Sequence, residues 1–161
     1  MNSQVLPFNR LLAFLLALLL AVSASGCAVK FVGDYDSAAF EEILTTAKKV
    51  DKFYGTLLET KAESRQYSSF SEQYVTLETD IQGMVTRNQA RALNSESTEI
   101  SQIILKLFTK CKELHKTRNT YTDGIAKLDQ KRFVRLFGSA ASAEEAKKLS
   151  IDDKDADKDS K

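Results

Sequence analysis

Beyond Pro7 the chain contains no proline, and from Phe40 its apolar residues recur at helical intervals. Phe40, Ile43, Ala47, Val50, Tyr54 and Leu57 stand three or four residues apart, and Leu44, Phe53 and Leu58 widen the stripe. That spacing places them on one face of an α-helix. No segment shows the alternation that a half-buried strand requires, so the expected fold class is all-α. Asp36 or Ser37 is placed to cap this first helix, with Glu41 and Glu42 near its positive end.

A polar joint over 62–68 separates it from a second helix, expected from about Ser69 to Leu93, whose stripe is Phe70, Tyr74, Leu77, Ile81 and Met84 or Val85. The cap formers Asn94 to Ser97 open a third helix carrying Ile100, Ile103, Ile104, Leu107, Phe108, Cys111 and Leu114. After the turn NTYTDG at 119–124, a fourth carries Ile125, Leu128, Phe133, Leu136 and Phe137, with Gly138 as its expected stop and two further turns over 143–149. Connections this short make consecutive helices antiparallel. The expectation for residues 37–149 is an up-and-down bundle of three to four long helices. Gly55 and Gly83 fall inside helices, either at close crossings or as tolerated defects.

The N-terminus carries a different pattern. Arg10 precedes the apolar run LLAFLLALLLAV at 11–22, which leads into Ser23-Ala24-Ser25-Gly26 and Cys27. A charged start, an apolar middle and a small-residue end form an export signal. As a helix the run reaches roughly 18 Å, well short of the ~30 Å hydrocarbon core. Ala24-Ser25-Gly26-Cys27 resembles the lipobox of bacterial lipoproteins, with Ala24 where that family more often has leucine. The resemblance implies a signal peptide over 1–26, a cysteine thioether-linked to diacylglycerol at Cys27, and a membrane partner reached through that lipid. Three acyl chains exceed the two signals that stable anchoring needs. Ala28 in place of aspartate after the cysteine implies, by the sorting rule of enteric bacteria, a cell-envelope protein in the outer membrane facing the periplasm, with the inner membrane as the alternative.

Two flanks are expected outside the bundle: a tether over 27–36, and a charged tail over 150–161 containing IDDKDADKDSK, unable to bury apolar surface. Gly33-Asp34-Tyr35-Asp36, the tyrosines at 67–74, Leu114-His115 and Glu144-Glu145-Ala146-Lys147-Lys148 resemble a group of small helical bacterial lipoproteins. That likeness implies the bundle and carries no activity.

Chemistry-bearing motifs are sparse. The single histidine, His115, stands without a Gly-x-Ser-x-Gly turn, and no phosphate-cradling loop or HExxH occurs. Cys111 and His115, four residues apart, supply two metal ligands at most, and a buried thiol beside a boundary histidine is expected there. No cofactor is expected. The 23 basic and 22 acidic residues do not make a nucleic-acid-binding polycation. Lys127, Lys131 and Arg135 follow one another at four-residue steps, and Lys106, Lys110, Lys112 and Lys116 crowd the third helix. If those helices are neighbours, a basic contact face results, towards lipid headgroups or an acidic partner; the alternative is an ordinary solvated face. Tyr67, Phe70 and Tyr74 are expected in the core, with an exposed patch as the alternative. The expected function is contact with an envelope protein, as a scaffold or accessory of a membrane complex and not as an enzyme. The competing expectation is a small metal- or ligand-binding protein or enzyme with a site near His115.

Overall fold

The computed structural model describes residues 32–149; the expected signal peptide, Cys27 and the tail over 150–161 lie outside them. Four helices follow in order: α1 (Ser37–Glu59), α2 (Ser71–Gln89), α3 (Ser95–Arg118) and α4 (Asp123–Ala146). No strand occurs among the described residues. Each helix packs against the next, and α4 closes the ring against α1, giving the expected up-and-down bundle of four.

Asp36 starts α1, its carboxylate accepting from the backbone N–H groups of Ala38 at 2.9 Å and Ala39 at 3.2 Å. These donors would otherwise lack partners in the first helical turn. The joint between α1 and α2 is two 3₁₀ turns, Ala62–Ser64 and Tyr67–Phe70. The left-handed Asn119 ends α3, its N–H reaching the His115 carbonyl at 2.7 Å. Thr122 caps α4 through Ile125 N–H.

The core is aromatic at its centre. Phe53 lies 4.7 Å from Tyr74 and 6.5 Å from Phe108 between ring centroids, and Tyr54 stacks on Phe133 at 5.6 Å. Phe70 and Tyr74 are buried and Tyr67 is half-buried, so these three rings belong to the core.

Four expectations change. First, α2 ends at Gln89 rather than Leu93; the chain turns over 90–93, where Leu93 takes the left-handed φ of 54°. Second, Gly138 does not stop α4, which runs through it to Ala146. Third, Ile125 and Leu128 are exposed; the inner stripe of α4 is Ala126, Asp129, Phe133, Phe137, Ala140 and Glu144, so two carboxylates take core positions. Fourth, the end of the tether drawn over 27–36 is part of the fold. Gly33 is buried, its N–H donates to the Leu93 carbonyl at 2.7 Å, and Asp36 N–H donates to Glu144 at 2.8 Å.

A Cβ on Gly33 would stand 2.9 Å from the Ala92 carbonyl oxygen and 3.2 Å from that of Leu93, both backbone atoms that cannot swing aside. Gly33→Ala is therefore expected to destabilise the bundle by about 1–3 kcal/mol. Gly55 has nothing within 4 Å of its Cβ position, and Gly55→Ala should stabilise by about 0.5–1 kcal/mol. Urea unfolding monitored by helical circular dichroism checks both signs.

Candidate functional site

The end of the bundle holding the α1–α2 and α3–α4 joints is organised by Arg65, 4% exposed. Its guanidinium donates to the carbonyls of Thr60 at 2.7 Å, Leu58 at 3.2 Å and Tyr121 at 3.0 Å, and to the Asp123 carboxylate at 2.5 Å. The same residue's carbonyl accepts from His115 Nε2 at 2.9 Å. Because a carbonyl only accepts, Nε2 carries the proton, and Nδ1 is left to accept from the Tyr74 hydroxyl at 3.0 Å. Burial lowers the His115 pKa, the hydrogen bond to Arg65 opposing it, so the ring is held neutral. Both ring nitrogens are thus engaged within the protein.

Cys111, one turn earlier on α3, is a free thiol in the core; burial first, then the nearby Asp129 charge, pushes its pKa up to about 11. It is an inert thiol at neutral pH. Asp129, also buried, accepts from the Tyr121 hydroxyl at 2.7 Å and from Arg132 at 2.9 Å. Tyr54 Oη lies close to Tyr121 and Cys111 but meets no partner with hydrogen-bonding geometry. Among the described residues no group of three or more potential metal ligands forms, at Cys111 and His115 or elsewhere.

The opposite end is closed by a clasp around Glu144, which has no exposed surface. Its carboxylate accepts from Asp36 N–H at 2.8 Å, from Arg91 at 2.8 and 3.0 Å, and from Lys147 at 2.6 Å. Lys147 also donates to Asn94 and, at 2.9 Å, to Ser97. Arg91 further donates to the Asp34 carbonyl, and Lys148 stands 4.5 Å over the Tyr35 ring. Burial pushes the Glu144 pKa up, but hydrogen bonds from Arg91, Lys147 and Asp36 outweigh it and hold the carboxyl below its ordinary range. Two stretches singled out in the sequence, Gly33 to Asp36 and Glu144 to Lys148, therefore meet here.

The surface divides by charge. Around α2 the cations are matched: Arg87 with Glu42 at 2.6 Å, Lys49 with Asp80 at 2.9 Å, and Lys112 with Glu78 at 2.7 Å. Lys112 thus faces α2 and leaves the expected basic face. Lys127, Lys131 and Arg135 are exposed on α4, and α3 is its neighbour, as the basic-face reading required. Between Ile100 and Ala143 nine Lys and Arg residues stand against three acidic ones. Of those three, Asp123 binds Arg65 and Asp129 is buried, which leaves only Glu113 exposed and uncommitted. Interspersed with the cations are exposed Ile103, Leu114, Ile125 and Leu128, which the apolar pattern had assigned to the core. The sequence reading missed Arg65, Asp129 and Glu144, since nothing in a single chain distinguishes a buried charge from a solvated one.

Compared with known proteins, the chain matches no family model, no curated protein and no solved structure.

Two measurements test this geometry. Tyr54→Phe removes an unpartnered buried hydroxyl and should leave stability equal or higher, whereas Tyr121→Phe takes one of the two donors from buried Asp129, leaving Arg132, and should cost about 1–3 kcal/mol. Since the folded state depresses the pKa values of both His115 and Glu144, both contributions are lost on acidification. The His115 part is present above its unfolded value, about 6.5, and fades below it; the Glu144 part fades only below about 4.5. His115→Gln should flatten the stability profile in the upper window, and Glu144→Gln in the lower, as read by thermal unfolding from pH 8 to pH 3.

Proposed function

We propose that this protein is a lipid-anchored component of the bacterial cell envelope that acts by contact with another envelope protein, as a scaffold or accessory of a membrane complex and not as an enzyme. Anchoring rests on the lipobox-like Ala24-Ser25-Gly26-Cys27, and the outer membrane on Ala28. The observation that carries the contact reading is the outward surface of α3 and α4. It carries exposed Ile103, Leu114, Ile125 and Leu128 together with the exposed cations Lys106, Lys110, Lys127, Lys131 and Arg135. Apolar side chains among charges of one sign suit an acidic protein surface with apolar anchors of its own. The alternative, a ligand or metal site at His115, meets a ring whose two nitrogens are already bonded to Tyr74 and Arg65.

The test is site-specific photocrosslinking in intact cells from position 114 or 128, with exposed Val75 on α2 as the reference position. A discrete adduct at 114 or 128, absent at 75 and reduced at least tenfold by Lys131→Glu with Arg135→Glu, is expected. Equal labelling at position 75, or no adduct on α3 and α4, overturns the reading. Cys27→Ala should release the protein from the membrane fraction and abolish fatty-acid labelling; labelling that persists removes the anchor.

A further inference from the structure

Of the exposed apolar residues that belong to neither the core nor the α3–α4 face, Val75 stands alone on α2 and the other three lie at the clasp end. Val32 is 40% exposed, Leu93 50% and Leu149 71%. The hydrogen bond from Gly33 N–H to the Leu93 carbonyl sets Val32 beside Leu93. Lys147, bonded to Asn94, brings the end of α4 to the same loop, and Lys148 over Tyr35 brings it to the N-terminal arm.

Leu93 is the telling residue. Its φ of 54° is a left-handed conformation that glycine or asparagine adopts at little cost and leucine does not. Its backbone carbonyl holds Gly33, yet that bond needs no particular side chain. The strained backbone therefore carries a large apolar group that the bundle itself leaves half in water.

The position of this end relative to the proposed anchor says what covers it. Only residues 28–32 separate Cys27 from Gly33, and five residues span at most about 18 Å when fully extended. A lipid on Cys27 thus holds Val32, Leu93 and Leu149 next to the bilayer, whereas the joints at Arg65 and Asn119 lie a helix length away, roughly 35 Å. Nor is this end basic. Lys147 and Arg91 are spent on Glu144, and Lys148 on Glu145 at 2.7 Å, with Asp34 and Asp36 in the same arm. Attraction to anionic lipid is therefore not what would bring it down.

We propose that Val32, Leu93 and Leu149 form an apolar foot that rests in the headgroup boundary of the bilayer carrying the anchor, so that the bundle stands upright with its α3–α4 face turned sideways. This rests on the anchoring proposed above. The membrane is the single occupant to which the reading commits, and the contact is expected to be indifferent to lipid charge.

The chain contains no tryptophan, which makes single tryptophans clean depth probes. Residues 27–161 are coupled through the Cys27 thiol to a maleimide phospholipid, Cys111 being buried, and bound to vesicles of phosphatidylcholine alone or with one third phosphatidylglycerol. Leu93→Trp and Leu149→Trp should show blue-shifted emission and at least twofold quenching by brominated acyl chains, equally in both vesicles, with Leu128→Trp unaffected. Adding Leu93→Asn to the Leu149→Trp protein should raise the melting temperature by relieving strain, yet reduce the quenching at position 149. A purely structural Leu93 would leave that quenching unchanged. Quenching at position 128 but not at 93, growing with phosphatidylglycerol, would mean that the bundle lies flat on its basic face and would overturn the foot, as would no quenching at either position. Because the chemical tether replaces the natural lipid, these outcomes are independent of native anchoring, which the mass of the protein isolated from membranes decides separately.

Discussion

A carboxylate with no access to water sits where the bundle closes, and the arrangement around it tolerates few alternatives. Taking Glu144 out of solvent costs several kcal/mol, which only well-placed charged donors offset, and removing one partner of such a group costs about 3–5 kcal/mol. Its donors come from the N-terminal arm, the α2–α3 connection and the end of α4. None of these segments neighbours the others in sequence, and the carboxylate is satisfied only when all three are in place. The aromatic core supplies most of the cohesion, but a greasy interior is compatible with several registers. Glu144 at one end and Arg65 at the other fix which register is adopted, each by binding backbone groups that regular helices leave open.

How far this was legible follows from what a pattern of apolar residues can register. The α1 stripe and the Asp36 cap are local properties of consecutive residues, and they stand where the spacing puts them. In α4 the apolar pattern pointed to Ile125 and Leu128, while the face actually turned inward includes Asp129 and Glu144. Periodicity weighted by hydrophobicity cannot find a core stripe in which two of six residues are acids. Arg65 was concealed by lying in a stretch whose polarity marked it as a joint. Its role depends on the Tyr121 carbonyl and Asp123, more than fifty residues away. Leu93 gave no sign either, since nothing in its neighbours announces a left-handed leucine. The cationic spacing of Lys127, Lys131 and Arg135 was legible because charge on a surface helix needs no tertiary partner. Its apolar companions were not, because an exposed leucine and a buried one read alike.

The two surfaces proposed to do the work are set at right angles by this scaffold. The foot lies across the end of the helices, and the mixed apolar and basic face runs along them. With the proposed lipid on Cys27, a short link and the four-helix body would together convert attachment at one point into an orientation, so that a partner approaching in the plane of the membrane would meet α3 and α4 side-on. Flexibility anywhere between Gly33 and α1 would dissolve that proposed relation, in which the tight approach of Gly33 to the Ala92 and Leu93 carbonyls would have a role beyond local packing.

The antiparallel order of α1 and α4 also has a mechanical consequence. The N-terminal arm and the last turn of α4 leave the same end of the bundle, side by side. A pull between the N-terminal arm and anything held by the C-terminal segment would therefore peel these helices apart one contact at a time, instead of shearing their whole length at once. The first contacts to carry that load are the ones around Glu144, so the clasp is also the point at which the protein would yield under tension.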